Sequence, residues 1–287
     1  MRLTTLSLLA ILAGCCTTPG TPPTAASGDT WARLVASPDR TEADRTNDQR
    51  RHPAELLAFI DPRPGQVALD VSTGGGYTTE LLARAIGPTG IVYAQSQPRD
   101  PAKAPPRPAA PEGGAAAAPT GASAPAPAAS RPPPRPTGDV LAERAQRMQA
   151  AGVPAARITW VAQRFDDPVP PQAADGQLDL VTLMFNYHDF GYLGVDRAGM
   201  NRAVFKALKH GGHYVVADHA GRPGTGITES GTLHRVDEAF LRAEVEAAGF
   251  RLEQEGQFLR NPNDPRDRNT PEPPQPKDEF VLKFVKP

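Results

Sequence analysis

The sequence contains only two cysteines in 287 residues, and they are adjacent, at Cys15 and Cys16. The remaining residues therefore cannot form a disulfide or a thiolate metal site. The chain also has no excess of one charge, because 31 lysines and arginines are balanced by 32 aspartates and glutamates, which gives a net charge of −1. Since nucleic-acid binding needs a basic surface, we predict no nucleic-acid partner.

The apolar segment at residues 3–12 is too short to cross a membrane as a helix. It follows Met1 and Arg2, and this order is typical of a signal peptide. Leu12, Ala13, Gly14 and Cys15 come next and resemble the bacterial lipoprotein box, in which the chain is cleaved before a lipidated cysteine. We therefore expect residues 1–14 to be a signal peptide and Cys15 to be acylated, which predicts an exported lipoprotein on the periplasmic side of the cell envelope. An ordinary secretory signal and a membrane-anchored helix are the alternatives.

Two further segments can bury little apolar surface. Residues 15–28 are rich in threonine, proline, alanine and glycine and predict a flexible tether. Residues 98–138 contain 13 prolines and 13 alanines in 41 residues and lack leucine, isoleucine, valine, methionine and aromatic residues. We expect this second segment to be a disordered insertion, because burial cannot offset the entropy of ordering it. One domain then consists of residues 29–97 and 139–287.

A glycine-rich turn at residues 72–76 organises the rest of the domain. An apolar, β-branched run at residues 67–71 predicts a buried strand, and helical spacing at residues 77–86 predicts a helix ended by Gly87 and Pro88. A dinucleotide fingerprint fails here, because Thr79 stands at its third glycine. The motif D-x-G-x-G-x-G fits better: it begins at Asp70 and matches at three of its four fixed positions, with Ser72 in place of the first glycine.

Strands and helices alternate along the domain. Further strands are predicted at residues 90–94, 157–161, 178–185, 213–217, 250–258 and 279–285, with helices at 53–60, 139–151, 197–208 and 237–248. The strongly charged segment 40–51 is expected to wrap the surface without burying side chains. The alternation indicates an α/β fold with a doubly wound sheet, whose ligands bind at the carboxyl ends of the strands.

Several motifs follow the order found in class I S-adenosylmethionine-dependent methyltransferases. They are the glycine turn, an aspartate loop after the third strand, L-D-L-V at residues 178–181 and L-K-x-G-G at residues 208–212. More closely, the chain resembles a group of predicted bacterial methyltransferases with export signals, through G-G-G-Y-x-T-E-L-L-A-R at 74–84, V-Y-A-Q at 92–95, N-Y-H-D at 186–189, D-H at 218–219, L-H-R-x-D-E at 233–238, R-N-P-x-D-P-R at 260–266 and F-V-L-K-F at 280–284. The resemblance implies a Rossmann-like, seven-stranded methyltransferase fold, S-adenosylmethionine as the cofactor, and a small or envelope-associated methyl acceptor.

The resemblance also implies a set of cofactor-binding residues. Residues of the glycine turn and of the end of the strand before it are expected to contact the methionine part of S-adenosylmethionine. They are Asp70, Ser72, Thr73, Gly74, Gly75 and Gly76. Ser96 stands where these enzymes usually carry an acid for the ribose hydroxyls, and a neutral side chain loses the charge assistance of that hydrogen bond. Asp166 matches the acid that accepts from the adenine amino group. Asn186 and His188 match the position beside the sulfonium and the acceptor.

Histidines are the candidate general bases, because imidazole titrates near neutral pH. His188 and His219 at strand ends are the main candidates with Asn186, and His234 is a third. Tyr187 is also included among the catalytic candidates, although packing and stacking on a ligand explain it equally well. His188, Asp189, Asp218, His219 and His234 could converge at one end of the sheet, but no two have the close helical spacing of a strong metal motif. We therefore predict no metal site.

Three hypotheses remain for the function. The first is an S-adenosylmethionine-dependent methyltransferase. The second is a lipid-anchored module that keeps this fold and binds a ligand without catalysis, which export favours because the cofactor is made in the cytoplasm. The third is a metal-assisted hydrolase. The sequence carries no signal on oligomerisation.

Overall fold

The structure is a computed structural model that describes residues 28–98, 135–271 and 275–287. The predicted signal peptide, Cys15 and nearly all of the predicted tether and insertion lie outside these residues and stay predictions. None of the helices in the described ranges is long and apolar enough to span a membrane.

Seven strands form one mixed sheet, as predicted. They are β1 (Val67–Val71), β2 (Ile91–Ser96), β3 (Arg157–Ala162), β4 (Leu178–Met184), β5 (Leu208–His219), β6 (Arg251–Gly256) and β7 (Glu279–Val285). Their order is β3-β2-β1-β4-β5-β7-β6. The strands β1 to β5 pair in parallel, whereas β7 is antiparallel to both β5 and β6. The carboxyl ends of β1, β2, β4 and β5 therefore meet along one edge, where the predicted site residues lie.

Helices cover both faces of the sheet. They are α1 (Gly28–Val35), α2 (Glu42–Arg51), α3 (Pro53–Ile60), α4 (Tyr77–Ile86), α5 (Thr137–Ala150), α6 (Asp189–Tyr192), α7 (Arg197–Ala207) and α8 (Glu238–Ala247). Alternate strand residues face opposite sides, so Tyr214 and Val216 pack with α7 and α8, whereas Val215 packs with α3, α4 and α5. The result is a three-layer α/β/α arrangement.

The charged segment 40–51 forms helix α2 on the surface, and most of its side chains are at least partly exposed, but two of its charges are buried against expectation. Thr41 caps helix α2 in a capping box with Asp44. Asp44 is 1% exposed and Arg40 is 5% exposed, so the helix buries charges that the sequence interpretation left in solvent. Asp44 is neutralised by Arg144, 100 residues further along the chain, and Arg40 by Asp48, eight residues away, and hydropathy does not reveal either pairing.

Two element boundaries also differ from the prediction. Helix α5 begins at Thr137, inside the predicted insertion, directly after Pro136. Strand β5 begins at Leu208, five residues before the predicted start at His213, with a register irregularity opposite β4. The L-K-x-G-G turn is drawn into the sheet because Gly211 donates to Lys286 and Lys286 donates to Gly212 through backbone hydrogen bonds.

Candidate functional site

The glycine turn between β1 and α4 has a left-handed backbone at three positions. The φ angles are +57° at Ser72, +54° at Gly74 and +76° at Gly76. A Cβ on Gly74 or Gly75 would have no close neighbour, and both residues are exposed. A Cβ on Gly76 would lie 2.7 Å from Leu141 Cδ2. Gly76 is thus required for packing against α5, whereas Gly74 and Gly75 leave the backbone open to an approaching ligand.

Asp70 at the end of β1 faces into the protein, although it was predicted to lie against the cofactor. Its carboxylate accepts hydrogen bonds from the Thr79 hydroxyl at 2.6 Å and the Thr182 hydroxyl at 2.7 Å. The Thr73 hydroxyl bonds in turn to that of Thr79. Burial raises the pKa of Asp70. The aspartate therefore fixes the start of the turn and leaves ligand contact to the backbone beyond it.

Gln95 joins the turn to the neighbouring strands. Its side-chain oxygen accepts from the Ser72 backbone N–H at 2.9 Å, and its amide nitrogen donates to the Gln163 carbonyl at 2.7 Å. On the other side, the Asn186 amide donates to the Ser72 hydroxyl at 3.2 Å. Ser72 thus links the ends of β2 and β4, and the predicted residues Ser72 and Asn186 are in direct contact.

Ser96 and Asp166, predicted to bind the ribose and the adenine of the cofactor, each form hydrogen bonds with a neighbouring side chain. The Trp160 indole N–H donates to Ser96 Oγ at 2.8 Å. Arg164 donates two hydrogen bonds to Asp166, at 2.8 and 2.6 Å, and this pairing lowers the pKa of the aspartate. Trp160 is 48% exposed. Both polar side chains therefore lie at the open edge beside β3, each with a partner from that region.

Helix α2 is held at the turn by polar contacts that we call the α2 network, comprising Asp44, Asp48, Tyr77, Glu80 and Arg144. Arg144 of α5 pairs with Asp44 at 2.8 Å and Glu80 at 2.6 Å, and it donates to the Gly75 carbonyl at 2.6 Å. The Tyr77 hydroxyl donates to Asp48 at 2.6 Å. Burial opposes ionisation of Asp44, but hydrogen bonds from Arg144 and Thr41 outweigh it and lower the pKa to about 2.

Arg51, the last residue of α2, has no such partner. Its guanidinium carbon lies 3.8 Å from the centroid of the Phe185 ring at the end of β4. Its Nε is buried without a hydrogen-bond partner, and no carboxylate of the described residues lies within 4 Å of it. Burial and the neighbouring Arg50 lower the pKa of Arg51 to about 10. The guanidinium therefore lies beside the end of β4 and within electrostatic range of Glu279, Asp218 and Asp70, without forming an ion pair with any of them.

His188, just after β4, is held by two carboxylates. The contact between its Nδ1 and Asp218 Oδ1 is 2.6 Å, and its backbone N–H donates to Asp218 Oδ2 at 2.7 Å. Its Nε2 lies 3.0 Å from Asp189 Oδ1. Burial alone would lower the pKa of His188, but Asp218 and Asp189 outweigh it and raise the pKa to about 9. The imidazole is therefore protonated at neutral pH and is a poor proton acceptor.

His234 joins this group from the loop before α8. Its Nδ1 lies 3.4 Å from Asp189 Oδ1, and its backbone is left-handed, with φ at +53°. We call His188, Asp189, Asp218 and His234 the histidine cluster. The structure thus brings together all five residues whose convergence the sequence left open, since the His219 ring centroid lies 5.3 Å from that of His188.

His219 at the end of β5 differs from His188 in its protonation state. Burial lowers its pKa well below the usual range, so the ring is neutral at pH 7. Its Nδ1 lies 2.9 Å from Glu279 Oε1 but makes no hydrogen bond. Its ring lies against Phe185, with 5.6 Å between ring centroids. His219 and Arg51 therefore share the same aromatic neighbour.

Comparison with known proteins supports this architecture. No family model matches the chain. A 39-residue stretch is 49% identical to the protein-L-isoaspartate O-methyltransferase of Aeropyrum pernix, but it spans only 14% of this chain and 15% of that relative. A S-adenosylmethionine-dependent methyltransferase from Aquifex aeolicus superposes with a TM-score of 0.52 at 13% identity, covering 91% of this chain and all of the other. The chain has the class I methyltransferase fold.

A second solved structure agrees with the first. It is the complex between the Haloferax volcanii Trm112 methyltransferase activator and the putative methyltransferase, with a TM-score of 0.50, 17% identity, and coverage of 90% of this chain and 97% of the other. The resemblance stated from the motifs is confirmed for the fold. The identities are too low to transfer an activity, a substrate or a partner.

Within this methyltransferase fold, Tyr187 lies in the core and not at the ligand edge. The residue is fully buried, its hydroxyl donates to Glu244 at 2.8 Å, and Asn201 donates to that hydroxyl at 3.1 Å. Arg197 completes the group by pairing with Glu244 at 2.9 Å. Tyr187 therefore packs under α7 and α8, and its place among the catalytic candidates is wrong.

The described residues line cavities that include four of 290–410 Å³, and these four are lined by residues other than Gly74–Gly76 and Asn186. His219 lines one, together with Lys277, whose pKa is lowered to about 8 by burial and by Arg235. Arg51 was missed by sequence reasoning, although a capping box at Thr41 and Asp44 was the local signal for the helix that carries it.

Proposed function

We propose that the protein is an S-adenosylmethionine-dependent methyltransferase. The class I methyltransferase fold and the open backbone at Gly74 and Gly75 support this function. The observation that carries the proposal is Arg51, whose buried Nε has no hydrogen-bond partner among the described residues and whose charge acts on Asp70 at the start of the turn. A ligand carboxylate is the group that such a guanidinium binds best. The methionine part of S-adenosylmethionine carries one.

Different residues at the carboxyl edge of the sheet would bind different parts of S-adenosylmethionine. The backbone N–H groups of the turn and the guanidinium of Arg51 would hold the amino-acid part, and the Asn186 amide would orient the turn through Ser72. When bound, the sulfonium supplies a methyl group to in-line attack by an acceptor. His219 is unprotonated at neutral pH and partly exposed, so we propose it as the group that takes a proton from the acceptor, although burial weakens its basicity. His188 is protonated and has both ring nitrogens in contact with carboxylates, so we do not propose it as the base.

Calorimetric titration with S-adenosylmethionine and S-adenosylhomocysteine tests the proposal. We expect Arg51→Met to weaken binding of both ligands by about 10- to 100-fold, because a charge-assisted hydrogen bond is lost. The same substitution should maintain or raise the free energy of unfolding, since it removes a buried cation that has no anion. A loss of affinity together with unchanged or higher stability identifies a binding role.

Arg202→Met is the matched control, because Arg202 is an exposed arginine on α7 whose nearest carboxylate is 4.0 Å away. It should bind like the wild type. Equal affinity in the Arg51 and Arg202 variants would contradict the role of Arg51. An absence of binding by the wild type would contradict the methyltransferase proposal itself.

Ligand binding without catalysis is the second candidate. It is favoured by the contacts of Ser96 with Trp160 and of Asp166 with Arg164, which leave the adenosine side without a free carboxylate. Methyl transfer from labelled S-adenosylmethionine to small molecules or envelope extract separates the two candidates. Binding without S-adenosylhomocysteine formation in any extract would favour the non-catalytic role.

We further propose that the mature protein is anchored to the envelope through Cys15 and acts on a small or envelope-associated acceptor. The support is the lipoprotein box that follows an apolar segment in the sequence. Mass spectrometry of the N-terminus should find acylated Cys15. The Cys15→Ser variant should leave the membrane fraction, whereas the neighbouring Cys16→Ser variant should stay in it. An uncleaved Met1 terminus would contradict the proposal.

A further inference from the structure

Three side chains of the histidine cluster present ligand atoms to one point. These atoms are His188 Nε2, Asp189 Oδ1 and His234 Nδ1, and all lie within 4.8 Å of one another. Asp189 Oδ1 lies between the two rings, at 3.0 Å from His188 and 3.4 Å from His234. The rings are almost perpendicular, with an interplanar angle of 88°.

These separations match those of metal ligands. Transition-metal ions bind imidazole nitrogen and carboxylate oxygen at about 2.0–2.2 Å, so neighbouring ligand atoms in tetrahedral or octahedral sites lie about 3.0–3.5 Å apart. The distances from Asp189 Oδ1 to His188 Nε2 and His234 Nδ1 already lie in this range, so the backbone does not have to move. Two imidazoles and one carboxylate also form a recurrent ligand set for divalent transition metals.

Asp218 supplies the support that a metal-binding histidine needs. Its carboxylate contacts His188 Nδ1 and also accepts the backbone N–H groups of His188 and His219, at 2.7 Å each. The Nδ1 proton is therefore committed to a fully buried carboxylate, and Nε2 is the nitrogen directed at the cluster. A carboxylate behind the histidine fixes the tautomer and raises the basicity of the ligand nitrogen.

His234 is held in place by its neighbour in the chain. A left-handed backbone is unfavourable for a residue with a Cβ, and it persists only where the surroundings impose it. Arg235 imposes it: this residue is fully buried, donates to the Ala220 and Arg268 carbonyls at 2.9 and 3.0 Å, and pairs with Asp264 at 2.8 Å. The anchored arginine keeps the preceding histidine at the cluster.

We propose that His188, Asp189 and His234 bind a divalent transition-metal ion, with Asp218 as the supporting carboxylate. Once a metal ion displaces the Nε2 proton of His188, two neutral imidazoles and two carboxylates give the site a charge of −2 that a divalent ion neutralises, and the nitrogen ligands favour ions such as Zn²⁺, Fe²⁺ or Co²⁺ over Mg²⁺ and Ca²⁺. The side chains of Asp189 and His234 are 25% and 23% exposed, so positions on the solvent side stay open to a further ligand. The site does not depend on the proposed methyl transfer, since it involves none of the cofactor residues of the turn.

The test uses the full chain without an affinity tag, treated with a chelator and then titrated with Co²⁺ and Zn²⁺. We expect one ion per chain, with a visible Co²⁺ absorption band that Zn²⁺ abolishes. His234→Ala and Asp189→Asn should each weaken Zn²⁺ binding at least about tenfold, because one of three protein ligands is lost. Asp218→Asn should weaken it by about 10- to 100-fold through the supporting hydrogen bond.

His210→Ala is the matched control, because His210 is exposed near the start of β5, at the opposite end of that strand from His219, and its ring contacts the Pro287 carbonyl. It should bind Zn²⁺ like the wild type. Equal affinity in the His234 and His210 variants, or no saturable Co²⁺ band in the wild type, overturns the proposal. Circular dichroism checks folding, and the wild-type Co²⁺ spectrum decides the question if the Asp189 and His234 variants do not fold. All measurements are made without S-adenosylmethionine, so their failure is distinct from failure of the methyltransferase proposal.

Discussion

The α2 network and the histidine cluster neutralise buried carboxylates in different ways. Asp44 and Glu80, each 1% exposed, are paired with Arg144. Asp218 is fully buried, and its described partners are the His188 ring and two backbone N–H groups. An arginine stays charged at any pH at which the protein is folded, whereas a histidine can release its proton or exchange it for a metal ion.

The comparison separates a permanent arrangement from an adjustable one. Arg144 joins α2, α4 and α5 and also binds the Gly75 carbonyl, so it fixes the shape of the glycine turn. The histidine cluster joins the ends of β4 and β5 to a loop through groups that include His188, whose pKa is about 9. We therefore expect the first region to determine stability at every pH and the second to respond to pH and metal ions.

The largest expected effect comes from removing the arginine of the α2 network. Arg144→Met leaves Asp44 buried without a guanidinium, and breaking a buried ion pair from one side costs about 3–5 kcal/mol. Urea unfolding at pH 7 should show this loss, whereas Arg202→Met should change the free energy of unfolding by less than about 0.5 kcal/mol. If the free energy of unfolding of the Arg144 variant fell by less than about 1 kcal/mol, the α2 network would not be the region that determines stability.

The next effect concerns pH and the histidine cluster. The pKa of His188 is raised from 6.5 to about 9, so its contribution to stability is fully present below pH 6.5 and is lost as pH rises through 9. The loss is about 1.4 kcal/mol per pH unit, or about 2 kcal/mol between pH 6.5 and 8. Urea unfolding with chelator present should show this decrease in the wild type and a flatter profile in His188→Asn.

Titration of Lys277 limits the pH range in which the effect of His188 on stability can be measured. Its pKa is lowered to about 8, so between pH 8 and 10.5 the unfolded state binds more protons and stability rises with pH. This opposite trend makes the range below pH 8 the informative one. His210→Asn should keep the wild-type slope, and a wild-type slope in His188→Asn would assign the pH dependence to other groups.

Local sequence patterns predicted the fold well where a single segment decides its own structure. Pro53–Ile60, Val67–Val71, Tyr77–Ile86 and Glu279–Val285 have the predicted bounds, because apolar periodicity and Gly or Pro stops act within one segment. Helix α2 was missed because its charges predict solvent exposure, and its partner Arg144 lies 100 residues from Asp44 in the chain.

The candidate site was less predictable, because side-chain direction depends on distant neighbours. Asp70 stands at the expected place, but two threonine hydroxyls from α4 and β4 turn its carboxylate inward. The sequence did not assure a contact between the neighbours His188 and Asp189, but in the structure Asp218 from the adjacent strand holds the imidazole so that Nε2 lies against Asp189. Such contacts depend on strand register and backbone strain, which one sequence does not specify.

The smallest expected effect comes from a substitution at Tyr187, which tests whether the histidine cluster includes its neighbour in the chain. Tyr187 precedes His188 in the chain, but its hydroxyl lies under α7 and α8 between Glu244 and Asn201. Tyr187→Phe should therefore lower the free energy of unfolding by about 1 kcal/mol, the usual cost of a lost buried hydrogen bond. Calorimetry should find unchanged affinity for both Zn²⁺ and S-adenosylmethionine. A change in either affinity would mean that the core contacts of Tyr187 also position its neighbours Asn186 and His188, and that the cluster extends through the sheet to its other face.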